Sequence, residues 1–108
     1  MLAFKNVFPR AAANVIGMVH ALPMPATPLY EADSVDRVVE RATAEAKLYD
    51  LAGVDGVIVE NMWDAPYVTA TGPEVTAVMT VVCSAVRAAV RKEIPVGVQV
   101  TKTAKFCF

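Results

Sequence analysis

The feature that most constrains the fold of this chain is a set of three short, valine-rich apolar runs with helix-like segments between them. The runs occupy residues 15–19, 54–59 and 94–100. They do not alternate apolar with polar side chains, which is typical of strands buried on both faces of a parallel sheet. Because parallel neighbours need a long crossover connection, usually a helix, the pattern predicts an α/β fold with the order β-α-β-α-β.

Both connecting segments have the pattern of amphipathic helices. The first is predicted to begin at Asp33 or Ser34 as the N-cap and to end before Gly53, because glycine is a common helix stop. The second is predicted to begin at Pro73–Glu74. In each, apolar side chains recur at helical spacing and form one stripe: Val35, Val38, Val39, Ala42, Ala46 and Tyr49 in the first, and Val75, Val78, Met79, Val82, Val86, Ala89 and Val90 in the second.

Alternating units of this kind build both doubly wound sheets and (β/α)₈ barrels. The segment after the first run reads HALPMPATP at 20–28, with three prolines and no glycine. A dinucleotide-binding turn needs glycines there so that the backbone can approach the pyrophosphate, and a P-loop motif is absent as well. The sequence therefore disfavours a nucleotide-binding sheet.

Composition limits the partners and the compartment. The 108 residues fit a single domain, with 56% hydrophobic and 19% charged residues and a net charge of −1. Such a chain is not disordered by composition, and its charge favours neither nucleic acid nor an acidic membrane. The uncharged stretch 11–30 is interrupted by Pro23, Pro25 and Pro28, so direct membrane insertion is not expected.

The two cysteines indicate reduced thiols rather than a disulfide framework, and no CxxC motif suggests zinc. Cys83 lies at the edge of the second helical stripe and is interpreted as a packing residue. These features predict an intracellular, cytoplasmic protein. A mitochondrial location is the alternative, since residues 1–10 contain Lys5 and Arg10 and no acid.

Polar residues follow each apolar run, where parallel α/β folds place functional groups. His20 and Glu60 are the candidate catalytic residues, because imidazole and carboxylate groups serve as general acids and bases. The alternatives are a histidine satisfied by local backbone and a glutamate in an ion pair or loop anchor. Four residues are candidate ligand-binding groups, or else loop-stabilising ones: Asn61, Asp64, Tyr67 and Gln99.

The residues do not identify a cofactor. A metal site formed by His20, Glu60 and Asp64 is conceivable, but the spacing of these residues matches no metal-binding motif. The sequence therefore predicts no metal ligands, and the expected partner at the strand ends is a small molecule.

Three segments resemble the BtpA family: VIGMVHALPMPATP at 15–28, AGVDGVIVENMWDAPY at 52–67 and IPVGVQV at 94–100. The first two are specific when found together at this spacing, and the resemblance runs from about Phe4 to Val100. It implies a (β/α)₈ barrel akin to the ribulose-phosphate-binding barrels, in a longer protein. It also implies that His20, Glu60–Asn61, Asp64 and Tyr67 occupy the family's distinctive strand-end positions.

The resemblance implies a function only in outline. The family takes its name from a role in photosystem I biogenesis or stability in cyanobacteria, and no agreed substrate or reaction accompanies it. One expectation is a parent protein that binds a small, phosphorylated or unphosphorylated metabolite at the strand ends. The alternatives are a non-catalytic assembly or stability factor for a membrane complex, and a truncated isoform without folded function.

The expected domain organisation has three parts. Residues 1–14 form an N-terminal lead-in, residues 15–100 form about two and a half units of a BtpA-like barrel, and residues 101–108 form a tail without family character. We expect such a tail from an alternative exon, an intron read-through or a gene-prediction artefact.

Produced alone, the 108-residue chain is predicted to self-associate. Three parallel strands cannot close a barrel, so sheet edges and an apolar inner face would seek partners. Analytical ultracentrifugation combined with thermal unfolding should detect an oligomer, an aggregate or a molten species. A sharp, reversible unfolding transition of a monomer would contradict this expectation.

Overall fold

A parallel sheet organises the part of the chain that the structure describes. The computed structural model describes residues 7–8, 13–22, 35–61, 73–100 and 106–107. Strands β1 (Ile16–His20), β2 (Gly56–Glu60) and β3 (Val96–Gln99) alternate along the chain with helices α1 (Val35–Ala52) and α2 (Pro73–Ala89). The three strands are parallel neighbours in that order, so the predicted β-α-β-α-β architecture is confirmed.

A further strand lies beside β3. Strand β4 (Phe106–Cys107) is two residues long and runs antiparallel to β3, with Val98 opposite Cys107 and Gln99 opposite Phe106. The sequence predicted no strand in this segment, because two residues are too few to show a periodic pattern.

Both predicted helical stripes are confirmed as core-facing. The buried helical residues are Val38, Ala42 and Ala46 in α1 and Val75, Val78, Met79, Val82 and Val86 in α2. They form one cluster with Val19, Val57 and Val59 of the strands. Because strand side chains alternate between faces, every second strand residue packs against the helices, and the residues between them face the other way.

The predicted end of α1 at Gly53 is confirmed by its backbone geometry. Gly53 has a φ of 82°, a left-handed conformation that side-chain-bearing residues adopt at a cost. Its N–H donates to the Asp50 carbonyl at 3.1 Å, and the Val54 N–H donates to the Tyr49 carbonyl at 3.3 Å. This pair of bonds is the Schellman motif, which satisfies two of the last helical carbonyls.

Tyr49 joins α1 closely to β1. A Cβ atom built on Gly17 would lie 2.6 Å from the Tyr49 ring, so the ring rests directly on the strand backbone. The Tyr49 hydroxyl donates a hydrogen bond to the Met18 carbonyl at 3.0 Å. One side chain thus fixes the distance of the helix from the strand that ends in His20.

Phe8 lies on the side of the sheet away from the helices. It is 5% exposed, and a Cβ atom on Gly56 would lie 3.0 Å from its ring. Ile58, on the same side of β2, is 8% exposed. This side is therefore covered near the amino ends of the strands.

Replacing Gly17 with alanine should destabilise the protein, because the new methyl group would overlap the Tyr49 ring. Overpacking of this kind costs about 1–3 kcal/mol. Urea unfolding at a fixed protein concentration should show a lower midpoint. The double variant Gly17→Ala/Tyr49→Ala should lose less than the sum of the two single losses, since the clash requires both side chains.

Gly53→Ala provides the contrast. No atom lies within 4 Å of a Cβ built there, so its cost should come from the positive φ alone and should not depend on Tyr49 replacement. A Gly17→Ala protein as stable as the parent would contradict the proposed close contact.

Candidate functional site

His20, Glu60 and Gln99 lie side by side at the carboxyl ends of the three parallel strands. The sheet register pairs His20 with Glu60 and Glu60 with Gln99. Residues in register on parallel neighbours project from the same face, and the strands are about 4.8 Å apart. The three side chains therefore form one line across the sheet, which we call the His20–Glu60–Gln99 row.

The row projects from the face of the sheet opposite to the helices. The preceding residues Val19 and Val59 are fully buried in the cluster that includes both helices, and Val98 packs against that cluster. Strand alternation then directs the next residue of each strand to the other side. This explains how polar groups can follow immediately after core valines without being buried among them.

His20 and Glu60 lie within ion-pairing distance of each other, and the imidazole carries a charge only when it is protonated. The distance from His20 Nε2 to Glu60 Oε2 is 3.7 Å, and their side chains are 34% and 13% exposed. The imidazole is thus more accessible to a ligand than the carboxylate. Such a pair can accept a proton, hold it and return it, provided that a ligand reaches the imidazole.

The backbone holds this pair together on one side. The Ala21 N–H donates to the Glu60 carbonyl at 2.8 Å, which extends the β1–β2 pairing one step beyond His20. The two side chains therefore stand on paired strand backbone rather than on free loops, which limits their relative movement.

Asn61 lies apart from the row. It is 2% exposed, and strand alternation continued by one residue places it on the side of Val59. Asn61 has an interaction partner within the chain. The predicted ligand-binding role of Asn61 stays a prediction, and the geometry does not bring Asn61 together with His20.

Asp64 and Tyr67 lie outside the described residues, so their predicted ligand-binding roles stay predictions. Among the residues that the structure describes, no group of three or more His, Cys, Asp or Glu side chains is placed to hold a metal ion.

Strong ion pairing occurs at the opposite end of the sheet. Arg91 Nε donates to Asp50 Oδ1 at 2.7 Å and the Arg91 N–H donates to Asp50 Oδ2 at 3.1 Å, so the ends of α1 and α2 are joined. The side-chain hydrogen bond from Arg91 lowers the pKa of Asp50, and the same bond raises the pKa of Arg91. The pairing of Asp50 with Arg91 could not be predicted from the sequence, although both residues lie in final helical turns or just beyond them.

A cavity of about 350 Å³ also lies at this amino end, beside Phe8, Asp55, Arg91 and Glu93. Two of its polar groups have structural roles: Arg91 binds Asp50, and Asp55 accepts a hydrogen bond from the Val15 N–H at 2.8 Å. The row is separated from this region by the length of the strands, about 13 Å for four steps.

Comparison with known proteins identifies the family. A sequence profile of the BtpA family matches residues 11–106. The chain is 42% identical over 84 residues to an uncharacterized protein of Pyrococcus furiosus, covering 78% of this chain and 31% of that protein. These matches show that the chain belongs to the BtpA family, as the three motifs predicted.

Two further relatives extend the comparison. The photosystem I biogenesis protein BtpA of Synechocystis is 38% identical over 89 residues, or 82% of this chain and 30% of that protein. An uncharacterized mitochondrial protein of Caenorhabditis elegans is 41% identical over 66 residues, or 60% of this chain and 24% of that protein. The chain spans about a third of the length of the curated relatives it matches. No solved structure matches the chain.

The helices of the described segments include none that is both long and apolar enough to cross a membrane.

Cys83 is a packing residue with low nucleophilicity. It lies half-buried in α2 against the core cluster, and this burial raises the pKa of its thiol to about 11. Because the thiolate is the reactive form, a raised pKa leaves little nucleophile at neutral pH.

Cys83 should therefore be alkylated slowly. In a Cys107→Ser variant, iodoacetamide should modify Cys83 about 100-fold more slowly at pH 8 than an ordinary exposed thiol, because the thiolate fraction falls tenfold with each unit of pKa. The rate should rise with pH up to about 11, the pKa of the thiol. A rate that levels off below pH 9 would contradict this assignment.

Proposed function

We propose that the His20–Glu60–Gln99 row binds a small polar metabolite and that His20 and Glu60 transfer a proton on it. The observation that carries the proposal is the register, which aligns three polar residues from distant parts of the sequence at one strand end. In parallel α/β proteins this end of the sheet is where ligands bind and reactions occur.

The properties of each group support this role. The 34% exposed imidazole can meet a ligand, and the 13% exposed carboxylate lies 3.7 Å from it. Imidazole and carboxylate groups are the two side-chain types that most often transfer protons in enzymes. The amide of Gln99 donates as well as accepts hydrogen bonds, so it can fix the orientation of a polar ligand. The chain spans about a third of the length of its relatives. In the longer proteins, an active site at this row would therefore include groups from other segments.

A non-catalytic assembly factor for a membrane complex is the second candidate. The name of the Synechocystis relative, a photosystem I biogenesis protein, favours it. Under this alternative, the row would be a structural ion pair, and replacing Glu60 would not change the binding of any metabolite. Purification of the Synechocystis relative free of any complex would weigh against it.

Chemical modification of His20 can test the proposed site, because His20 is the single histidine of the chain. Diethyl pyrocarbonate carbethoxylates imidazole, and a ligand bound at the row should slow that reaction. A panel of phosphorylated and unphosphorylated metabolites would be screened for protection of His20. This readout does not require a monomeric protein.

The Glu60→Gln variant should weaken the protection by at least tenfold, since hydrogen bonds to a charged group contribute about 1.5–3 kcal/mol. Glu93→Gln is the matched control, because Glu93 is exposed near the amino end of the sheet and should leave protection unchanged. Equal protection in the parent and the Glu60→Gln variant, or none with any metabolite, would contradict the proposal.

A further inference from the structure

We propose that the part of the ligand bound by the row is an uncharged, hydroxyl-bearing group of the sugar or polyol type, rather than a phosphate. This inference rests on the proposed function and concerns the chemical class of the ligand at that same site. Three features of the described residues support it: the hydrogen-bonding groups of the row, the absence of lysine and arginine from the three parallel strands, and the acids at the helix starts.

Hydroxyl groups match the hydrogen-bonding capacity of the row. The Glu60 carboxylate has two oxygens that accept hydrogen bonds, and the neighbouring Gln99 amide both donates and accepts. A hydroxyl group likewise donates and accepts, so adjacent hydroxyls can bind Glu60 and Gln99 together. A carboxylate at a strand end is also the group that binds ribose hydroxyls in dinucleotide-binding sheets.

A phosphate finds little to bind among the strands. Strands β1, β2 and β3 contain no lysine or arginine, whereas phosphate recognition uses arginine, lysine or helix N-terminal amides. The imidazole of His20 lies 3.7 Å from the Glu60 carboxylate, so an anion that approached His20 would also approach a carboxylate. The Glu60 side chain is 13% exposed, so its repulsion of an anion is screened less than that of a surface carboxylate.

The helix N-termini are also unfavourable for an anion. Both helices begin on the carboxyl side of the strands, and an acid already lies in each first turn, Asp36 in α1 and Glu74 in α2. These carboxylates interact with the positive end of each helix dipole. Arg37 is the single cation in either first turn, and it is exposed and already interacts with another residue.

A matched pair of ligands separates the two classes. D-Ribose, D-ribose 5-phosphate and inorganic phosphate would be compared by the concentration that halves the carbethoxylation rate of His20, with EDTA present so that no divalent cation joins phosphate to Glu60. For the parent chain, ribose should protect His20, inorganic phosphate should not protect at the same concentrations, and the 5-phosphate should bind no more tightly than ribose.

The Glu60→Gln variant should shift specificity in opposite directions. Ribose should need at least tenfold more ligand for half-protection, because its charged acceptor is lost, while protection by inorganic phosphate should increase, because the repulsion is removed. A site that merely collapses would lose protection by ribose without gaining protection by inorganic phosphate. Glu93→Gln should behave as the parent does.

Protection of the parent by inorganic phosphate, or tighter binding of the 5-phosphate than of ribose, would overturn the inference and leave the proposed function intact. Protection by neither sugar would also overturn it, whereas failure of the whole metabolite panel would overturn the proposed function as well.

Discussion

Parallel pairing of β1, β2 and β3 is the constraint on which the rest of the described structure depends. A parallel neighbour can be reached only by crossing back over the sheet, so each connection carries a helix and all strands end at the same edge. The residues that follow each apolar run are therefore brought together although they lie far apart in the sequence. The alignment of Glu60 with both His20 and Gln99 is a direct result of this pairing.

The position of the helices then decides which side of the sheet carries the polar groups. Tyr49 lies so close to Gly17 that no side chain fits between them, and its hydroxyl bonds the Met18 carbonyl. Since the buried stripes of α1 and α2 take up the valines of one face, the alternate positions face away from the helices. A polar strand end on the helix side would have to be satisfied inside the core, as Asn61 is.

Much of the fold could be predicted from sequence, because valine-rich runs and helical stripes are strong local signals. The helix stop at Gly53 could be predicted for the same reason, since its left-handed backbone is a local requirement. The strand ends could also be predicted as the candidate site, because parallel α/β folds place functional groups there. The register could not be predicted, because runs that do not alternate give no indication of which residues stand opposite each other. Hence the sequence could name His20, Glu60 and Gln99 but not align them.

The separation of Asn61 from the row has a related cause. The sequence shows Glu60 and Asn61 as adjacent polar residues, and only strand alternation assigns them to opposite sides. The hydrogen bond from the Tyr49 hydroxyl to the Met18 carbonyl could not be predicted for a similar reason. A tyrosine in an apolar stripe indicates burial, but the sequence does not show which group accepts the hydrogen bond from its hydroxyl. A glycine in the facing strand is the signal that could have suggested so close an approach.

The two ends of the sheet carry different polar contacts. At the amino end, Asp50 binds Arg91 and Asp55 binds the backbone of Val15, and both contacts join separate elements. At the carboxyl end, the row contributes an ion pair at 3.7 Å whose more exposed member, His20, is 34% accessible. A partly exposed pair of this kind adds little to stability. The polar contacts that join separate elements therefore lie at the end away from the row, while the buried cluster of helix and strand side chains holds the elements together.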